Sequence, residues 1–246
     1  MVNDTAVVDL MLTPDGPVTV DVLNTMDRLG IERGLVALVE SDDEVRRAVK
    51  AHPDRLIPSY AVDPNAGMDG VRELVRMHED FGVRAATCNP SSLHPQVAID
   101  GRRFYPLYAK CVELDIPILL NVGLAREPVG SAVQHVERLD EVCWFFPELR
   151  VVLRHGGEPW TQLAVKLLLK WPNLFYSTAG LLPSKYPPAI VNYANTRGAS
   201  KVLFAGLPEP GHLEKTLREL ETVPFRDHVW QRFLRTNALH VLGICR

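Results

Sequence analysis

The sequence predicts a single (β/α)8 barrel, and three observations carry that prediction. Short apolar runs of about four to eight residues recur at intervals of roughly thirty, each followed by a turn and a longer stretch of helical period. Eight such units fit within the 246 residues, close to the lower end of what one barrel requires. No Gly-rich phosphate loop follows the first run, which favours a closed barrel over the alternative of an open doubly wound sheet.

The strands are expected over residues 6–12, 34–39, 56–62, 83–88, 117–122, 150–154, 174–178 and 201–206. Pro117-Ile-Leu-Leu and Val151-Val-Leu are apolar without alternation, as strands of a parallel sheet covered on both faces must be. Helices are expected over 18–29, 42–51, 68–81, 104–114, 133–145, 160–170 and 188–197, with at least two more from His212 onward. Ser41 and Glu44 have the spacing of a capping box, and Pro53, Pro147 and Pro172 sit just past helix ends. The segment 89–103, with little periodicity, is the longest expected loop.

Composition narrows the function classes. Lys and Arg (27) nearly balance Asp and Glu (30) and are scattered rather than clustered, so no footprint for nucleic acid or an anionic membrane is present. The opening residues, MVNDTAVVDLML, have no basic start or long apolar region, and no run reaches the ~18 apolar residues of a membrane span, so a cytoplasmic location is expected. Cys88, Cys111, Cys143 and Cys245 are too widely spaced for a disulfide framework or a zinc motif and are read as reduced thiols.

In a barrel of this class the active site lies at the C-terminal ends of the strands. The residues there are Asp9, Met11 and Thr13, then Glu40, Asp63, Cys88 with Asn89, Asn121, His155 with Glu158, Thr178, and Leu207 with Glu209. His155 precedes Gly-Gly at a strand end and has the right side chain for general acid/base chemistry near neutral pH. Cys88 reads as a nucleophile if His155 is within reach, and otherwise as a buried thiol. Asp9 is expected to face the barrel interior, where it either pairs with a group such as Arg84 or transfers protons. Glu158 either assists that chemistry or caps the next helix. Arg84 and Arg154 flank the same region and read either as members of ion pairs or as the fork that suits a substrate carboxylate. Asn121 and Thr178 are placed to orient a ligand.

Six segments then occur in a characteristic order. They are Phe104-Tyr-Pro-Leu-Tyr, Asp115-Ile-Pro-Ile-Leu-Leu-Asn-Val-Gly, Phe146-Pro-Glu-Leu-Arg-Val-Val-Leu-Arg-His-Gly-Gly, Asn173-Leu-Phe-Tyr-Ser-Thr, Lys201-Val-Leu-Phe-Ala-Gly and Thr236-Asn-Ala-Leu-His-Val-Leu-Gly. Over essentially the whole chain this pattern resembles the amidohydrolase-related family of hydrolases and decarboxylases, whose fold is a TIM barrel. The resemblance implies a small cyclic or aromatic carboxylate or lactone as substrate, and a homodimer. It also implies a divalent metal held by the two histidines of Asp-x-His-x-His after strand 1 and by a histidine after strand 5, with an aspartate after strand 8 that binds the metal or handles a proton. This sequence departs from that pattern. Met11 and Thr13 stand at the first two histidines, Asn121 at the third and Leu207 at the aspartate, while His155 matches the histidine after strand 6.

Met and Leu supply no ligand for zinc, manganese or iron, and a histidine with an amide and a hydroxyl is a weak set. An alternative set of Asp9, Cys88, His155 and Glu158 is the other grouping the sequence offers, and the expectation is no metal and no cofactor. Two functions follow. One is a metal-independent hydrolase or lyase with His155 as general acid/base, assisted by Asp9 or Glu158. The other is an inactive barrel that binds a small molecule or serves as a regulatory or scaffolding partner, its mouth filled by Met11, Leu207 and Trp160.

Overall fold

The apolar runs form eight parallel strands in sequential order: β1 (Val7–Asp9), β2 (Ile31–Leu38), β3 (Leu56–Ala61), β4 (Ala85–Cys88), β5 (Ile118–Asn121), β6 (Val151–Arg154), β7 (Leu174–Ser177) and β8 (Val202–Leu203). The computed structural model describes residues 5–12, 20–38, 43–207 and 212–244. Thr13, Glu40, Ser41, Glu209 and Cys245 lie outside the described residues, and so does the capping box. Between the strands run α1 (Val20–Arg28), α2 (Asp43–Ala51), α3 (Gly67–Phe81), α4 (Tyr105–Glu113), α5 (Leu139–Phe145), α6 (Thr161–Lys170), α7 (Pro188–Thr196) and, after β8, α8 (His212–Glu219). Among the described residues no helix is long and apolar enough to cross a membrane.

Each strand contributes to two layers because side chains alternate across a sheet. Val8, Leu35, Ile57, Ala85, Leu119, Val152, Phe175 and Leu203, one per strand, pack together as the barrel interior. Their neighbours, such as Val36, Ala86, Leu120, Leu153 and Tyr176, face the helices. The register pairs Ala37 with Ser59, Thr87 with Leu119, and Asn121 with Arg154. The inward residues nearest the C-terminal mouth are therefore Ala37, Ser59, Ala61, Thr87, Asn121, Arg154 and Ser177.

The final helical stretch accounts for the terminal Asn-Ala motif. It consists of α9 (Asp227–Gln231), a π-helical turn (Arg232–Thr236) and α10 (Asn237–Val241). The Asn237 amide donates to the carbonyls of Ala199 (2.8 Å) and Val202 (2.7 Å), fixing the start of β8. Ala238, Leu239 and Val241 join the inner cluster beside β1 and β8.

The seam between β8 and β1 is where the chain differs most from expectation. The strand expected over 6–12 stops at Asp9, because the Asp9 carboxylate accepts the N–H of Met11 two residues on (2.9 Å) and bends the chain there. The same Oδ1 accepts the N–H of Gly206 (2.8 Å), just past β8, and Leu10 N–H reaches the Phe204 carbonyl at 3.4 Å. Asp9 thus ties the two end strands together. A Cβ on Gly206 would lie 3.1 Å from Oδ2, so the approach needs a residue without a side chain. Val8 and Leu10 take the inward positions, which sets Asp9 on the outer side, near Leu213. The expectation that Asp9 faces the interior is corrected, and its pairing with Arg84 does not occur. Arg84 is exposed ahead of β4, at the opposite end of the barrel from the mouth.

Burial raises the Asp9 carboxyl to about 6, against the two backbone hydrogen bonds that lower it, and Oδ2 has no partner among the described residues. A carboxyl raised in the fold contributes stability at low pH that is lost as pH rises toward its folded value. Wild type is accordingly expected to lose about 2 kcal/mol relative to Asp9→Asn between pH 4.5 and 7.5. Urea unfolding of both proteins at the two pH values measures the difference, and a pH-independent difference refutes the assignment.

Candidate active site

The mouth collects one strong cation and few polar partners. Arg154 ends β6 on the inward parity, opposite Asn121 at the end of β5. It makes no hydrogen bond or ion pair with any described residue, and its Nε is sealed from solvent without an acceptor. Burial lowers the guanidinium to about 10, which leaves it charged at neutral pH. The Oδ1 of Asn121 is likewise buried and unmatched. Thr87, Ser59 and the exposed methyls of Ala37 and Ala61 make the facing wall small and weakly polar.

His155 follows Arg154 with φ at +62°, a left-handed conformation that is uncommon and costly for a residue with a side chain. It is partly accessible and makes no hydrogen bond to any described residue. Its ring lies against the backbone of Gly180, where a Cβ would come within 2.4 Å of Nδ1; Gly180 itself has φ of +77°. The segment after β7 therefore leaves room for the imidazole only because it carries glycine there. Burial, then the positive charges of Arg154 and Arg126, lower His155 to about 3, so the ring is neutral throughout the physiological range.

Other residues hold the loops around this mouth. Gln134, almost fully buried, donates to Gly123 O (3.1 Å) and accepts Ser91 N–H (3.2 Å), tying the segments after β5 and β4 together. Gln96 spans the same two segments through the carbonyls of Ser91 (2.8 Å) and Gly130 (2.9 Å). The expected loop 89–103 is thereby pinned rather than free.

Several sequence candidates take up other work. Cys88 ends β4 on the outward parity, packs in the outer core and has its thiol pushed up to about 12 by burial, first, and by Asp63. It does not face the mouth; Thr87 does. Thr178 is buried, and its hydroxyl accepts Ala205 N–H (3.1 Å) and donates to the Ala205 carbonyl (3.2 Å), so it clips the end of β7 to the segment after β8 and its one proton is already engaged. Asp63 caps the turn Pro64–Ala66 through Asn65 N–H (2.8 Å), and Asn89 bonds to Ser92 and Ser91. Glu158 is exposed and does not cap α6, whose N-terminus has no side-chain cap. Trp160 packs on the outer core against His135, away from the interior. Met11 packs on the inner cluster, and Leu207 is partly exposed after β8.

Among the described residues, no three His, Cys, Asp and Glu side chains form a group able to hold a divalent cation, the set Asp9, Cys88, His155 and Glu158 included. The described residues at the ligand positions implied by resemblance offer a thioether, an amide and an aliphatic chain, and the Arg154 charge beside Asn121 opposes a second cation.

Comparison with known proteins agrees with this geometry at the level of fold. Residues 21–244 match the family model described as amidohydrolase. No curated protein matches the chain. Among solved structures, an uncharacterized TIM-barrel protein from Bordetella bronchiseptica superposes with a TM-score of 0.82 at 23% identity, covering 96% of this chain and 98% of that one. The 5-carboxyvanillate decarboxylase of Novosphingobium aromaticivorans, complexed with manganese, gives 0.71 at 18% identity, covering 92% of this chain and 80% of that one. The 2,6-dihydroxybenzoate decarboxylase of Rhizobium gives 0.69 at 18% identity, with 97% and 99% covered.

Gly180→Ala tests the seat of the imidazole. The added methyl is expected to displace the His155 ring and destabilise the protein by about 1–3 kcal/mol. The His155 Cε1–H resonance should move in the variant. An unmoved resonance with unchanged stability overturns the contact.

Proposed function

Because the chain belongs to the amidohydrolase family, we propose that it is a metal-independent hydrolase or lyase acting on a small cyclic or aromatic carboxylate or lactone, with His155 exchanging a proton with the ligand. The observation that carries this reading is His155 itself, an imidazole in a strained backbone conformation at the end of β6, partly accessible and without a protein hydrogen-bond partner among the described residues. Strain kept at a strand end of a barrel marks a side chain held for contact with something other than the protein.

The neutral ring accepts a proton or hydrogen-bonds a ligand; it does not act as a resident cationic acid. Burial is the first cause of its low basicity and the charges of Arg154 and Arg126 the next. A bound carboxylate offsets those charges and raises the basicity of the ring when substrate is present. Asp9 supports the reaction as a positioning residue, since both of its hydrogen bonds hold backbone at the seam. Glu158 is exposed beside the Gly-Gly turn, next to the strand end that carries His155.

A second reading, a barrel that binds a small molecule without transforming it, is favoured by one observation: no described carboxylate or hydroxyl orients the His155 ring. Hydroxybenzoates and cyclic lactones assayed for turnover by ultraviolet absorbance separate the two. Turnover is expected to survive dialysis against EDTA and to fall by about 10²–10⁴ in His155→Ala with the melting temperature retained. Activity that requires added zinc or manganese refutes metal independence. Activity undiminished by His155→Ala refutes the proton-transfer role, and binding without turnover across the panel establishes the second reading.

A further inference from the structure

We infer that the barrel mouth is a built-in anion site in which the guanidinium of Arg154 supplies the fixed positive charge that binds a planar monocarboxylate. The inference deepens the proposed function and rests on it for the ligand class. Its own support is independent of any reaction.

Arg154 stands apart from the other arginines set into this protein. Arg55 meets Asp27 at 2.7 Å, Arg138 meets Asp100 at 2.8 Å, Arg150 meets Asp115 at 2.7 Å, and Arg235 pairs with Glu32. The Nε–H groups of Arg33, Arg46, Arg150 and Arg154 are all buried without an acceptor, but Arg33 has Glu32, Arg46 the Phe81 ring and Arg150 Asp115, whereas Arg154 meets no described carboxylate, carbonyl or aromatic ring. A charge taken from water without a partner is costly, and such a residue persists where a ligand completes it. The position suits that task, because Arg154 is the last inward residue of β6 and is reached from the mouth.

A second unmet group adjoins it. Asn121, its register partner on β5, buries a carbonyl oxygen that receives no hydrogen bond. Two neighbouring polar groups on the same inward face, both unmatched by any described residue, mark a place where a ligand carboxylate meets the guanidinium and a ligand N–H or O–H donates to the amide oxygen. The guanidinium fork presents two parallel N–H donors to a carboxylate, which selects a planar anion over a neutral isostere. The same fixed charge repels a divalent cation, so the poor metal donors and the arginine are parts of one arrangement.

Isothermal titration with benzoate, in buffer containing EDTA, tests the inference on the wild-type protein, Arg154→Met and Arg154→Lys, with benzamide as the uncharged probe of the same shape. Benzoate is expected to bind wild type and to bind Arg154→Met at least about tenfold more weakly, with Arg154→Lys between them; benzamide is expected to bind all three alike and weakly. Without ligand, Arg154→Met is expected to melt no lower than wild type, because it removes a buried charge that has no partner among the described residues. Equal benzoate affinity in Arg154→Met, no benzoate binding to wild type, or a lower melting temperature of unliganded Arg154→Met overturns the inference. The readout needs no turnover, so benzoate binding through Arg154 in a protein inactive on every substrate sinks the catalytic reading alone, and turnover without it sinks this one.

Discussion

A parallel sheet closes only when its first strand meets its last, and in this chain those two strands are the shortest, with three residues in β1 and two in β8. So little ladder is available that a side chain spans the gap. The Asp9 carboxylate holds Met11 N–H on its own strand and Gly206 N–H on the other, in a space that admits it only because residue 206 has no Cβ. Thr178 repeats the device one strand over, hydrogen-bonding backbone of β8 from the end of β7. The edge of the barrel that would otherwise open is thereby closed by polar side chains that point away from the interior.

The phase of each strand fixes what the interior can offer. Alternation sends Thr87, Asn121, Arg154 and Ser177 toward the mouth and sends Cys88 and Thr178 behind it. The Asx turn after Asp9 breaks that alternation and leaves both Leu10 and Met11 against the inner cluster. The mouth then holds a guanidinium and an imidazole side by side, and burial first, then the charge of the guanidinium and that of Arg126, keep the imidazole neutral. Membership of the amidohydrolase family accounts for the barrel, while the electrostatics of its centre are particular to these side chains.

The fold was legible from the sequence because the period of the pattern is robust. Eight apolar runs and their intervening amphipathic segments survive an error of two residues at either end, and strands such as Ile118–Asn121 and Val151–Arg154 fell inside the expected ranges. The candidate site was legible in part. His155 stood out because it precedes two glycines at a strand end, while Arg154 could be read from its neighbourhood only as an ion-pair member or a carboxylate fork. The role of Gly180 carried no local signal, since the residue it accommodates lies on another strand.

By itself the sequence determined the class of fold and the order of the elements. Tertiary structure alone decided the phase of each strand, and phase is what separates a ligand-facing residue from a core one. With a side-chain period of two, a shift of one residue exchanges Thr87 for Cys88 at the mouth, and a single turn moves Asp9 to the outer side. The partners of a buried charge are likewise set by residues distant in the chain. That Arg150 finds Asp115 while Arg154 finds no described carboxylate depends on where the closed barrel places each one.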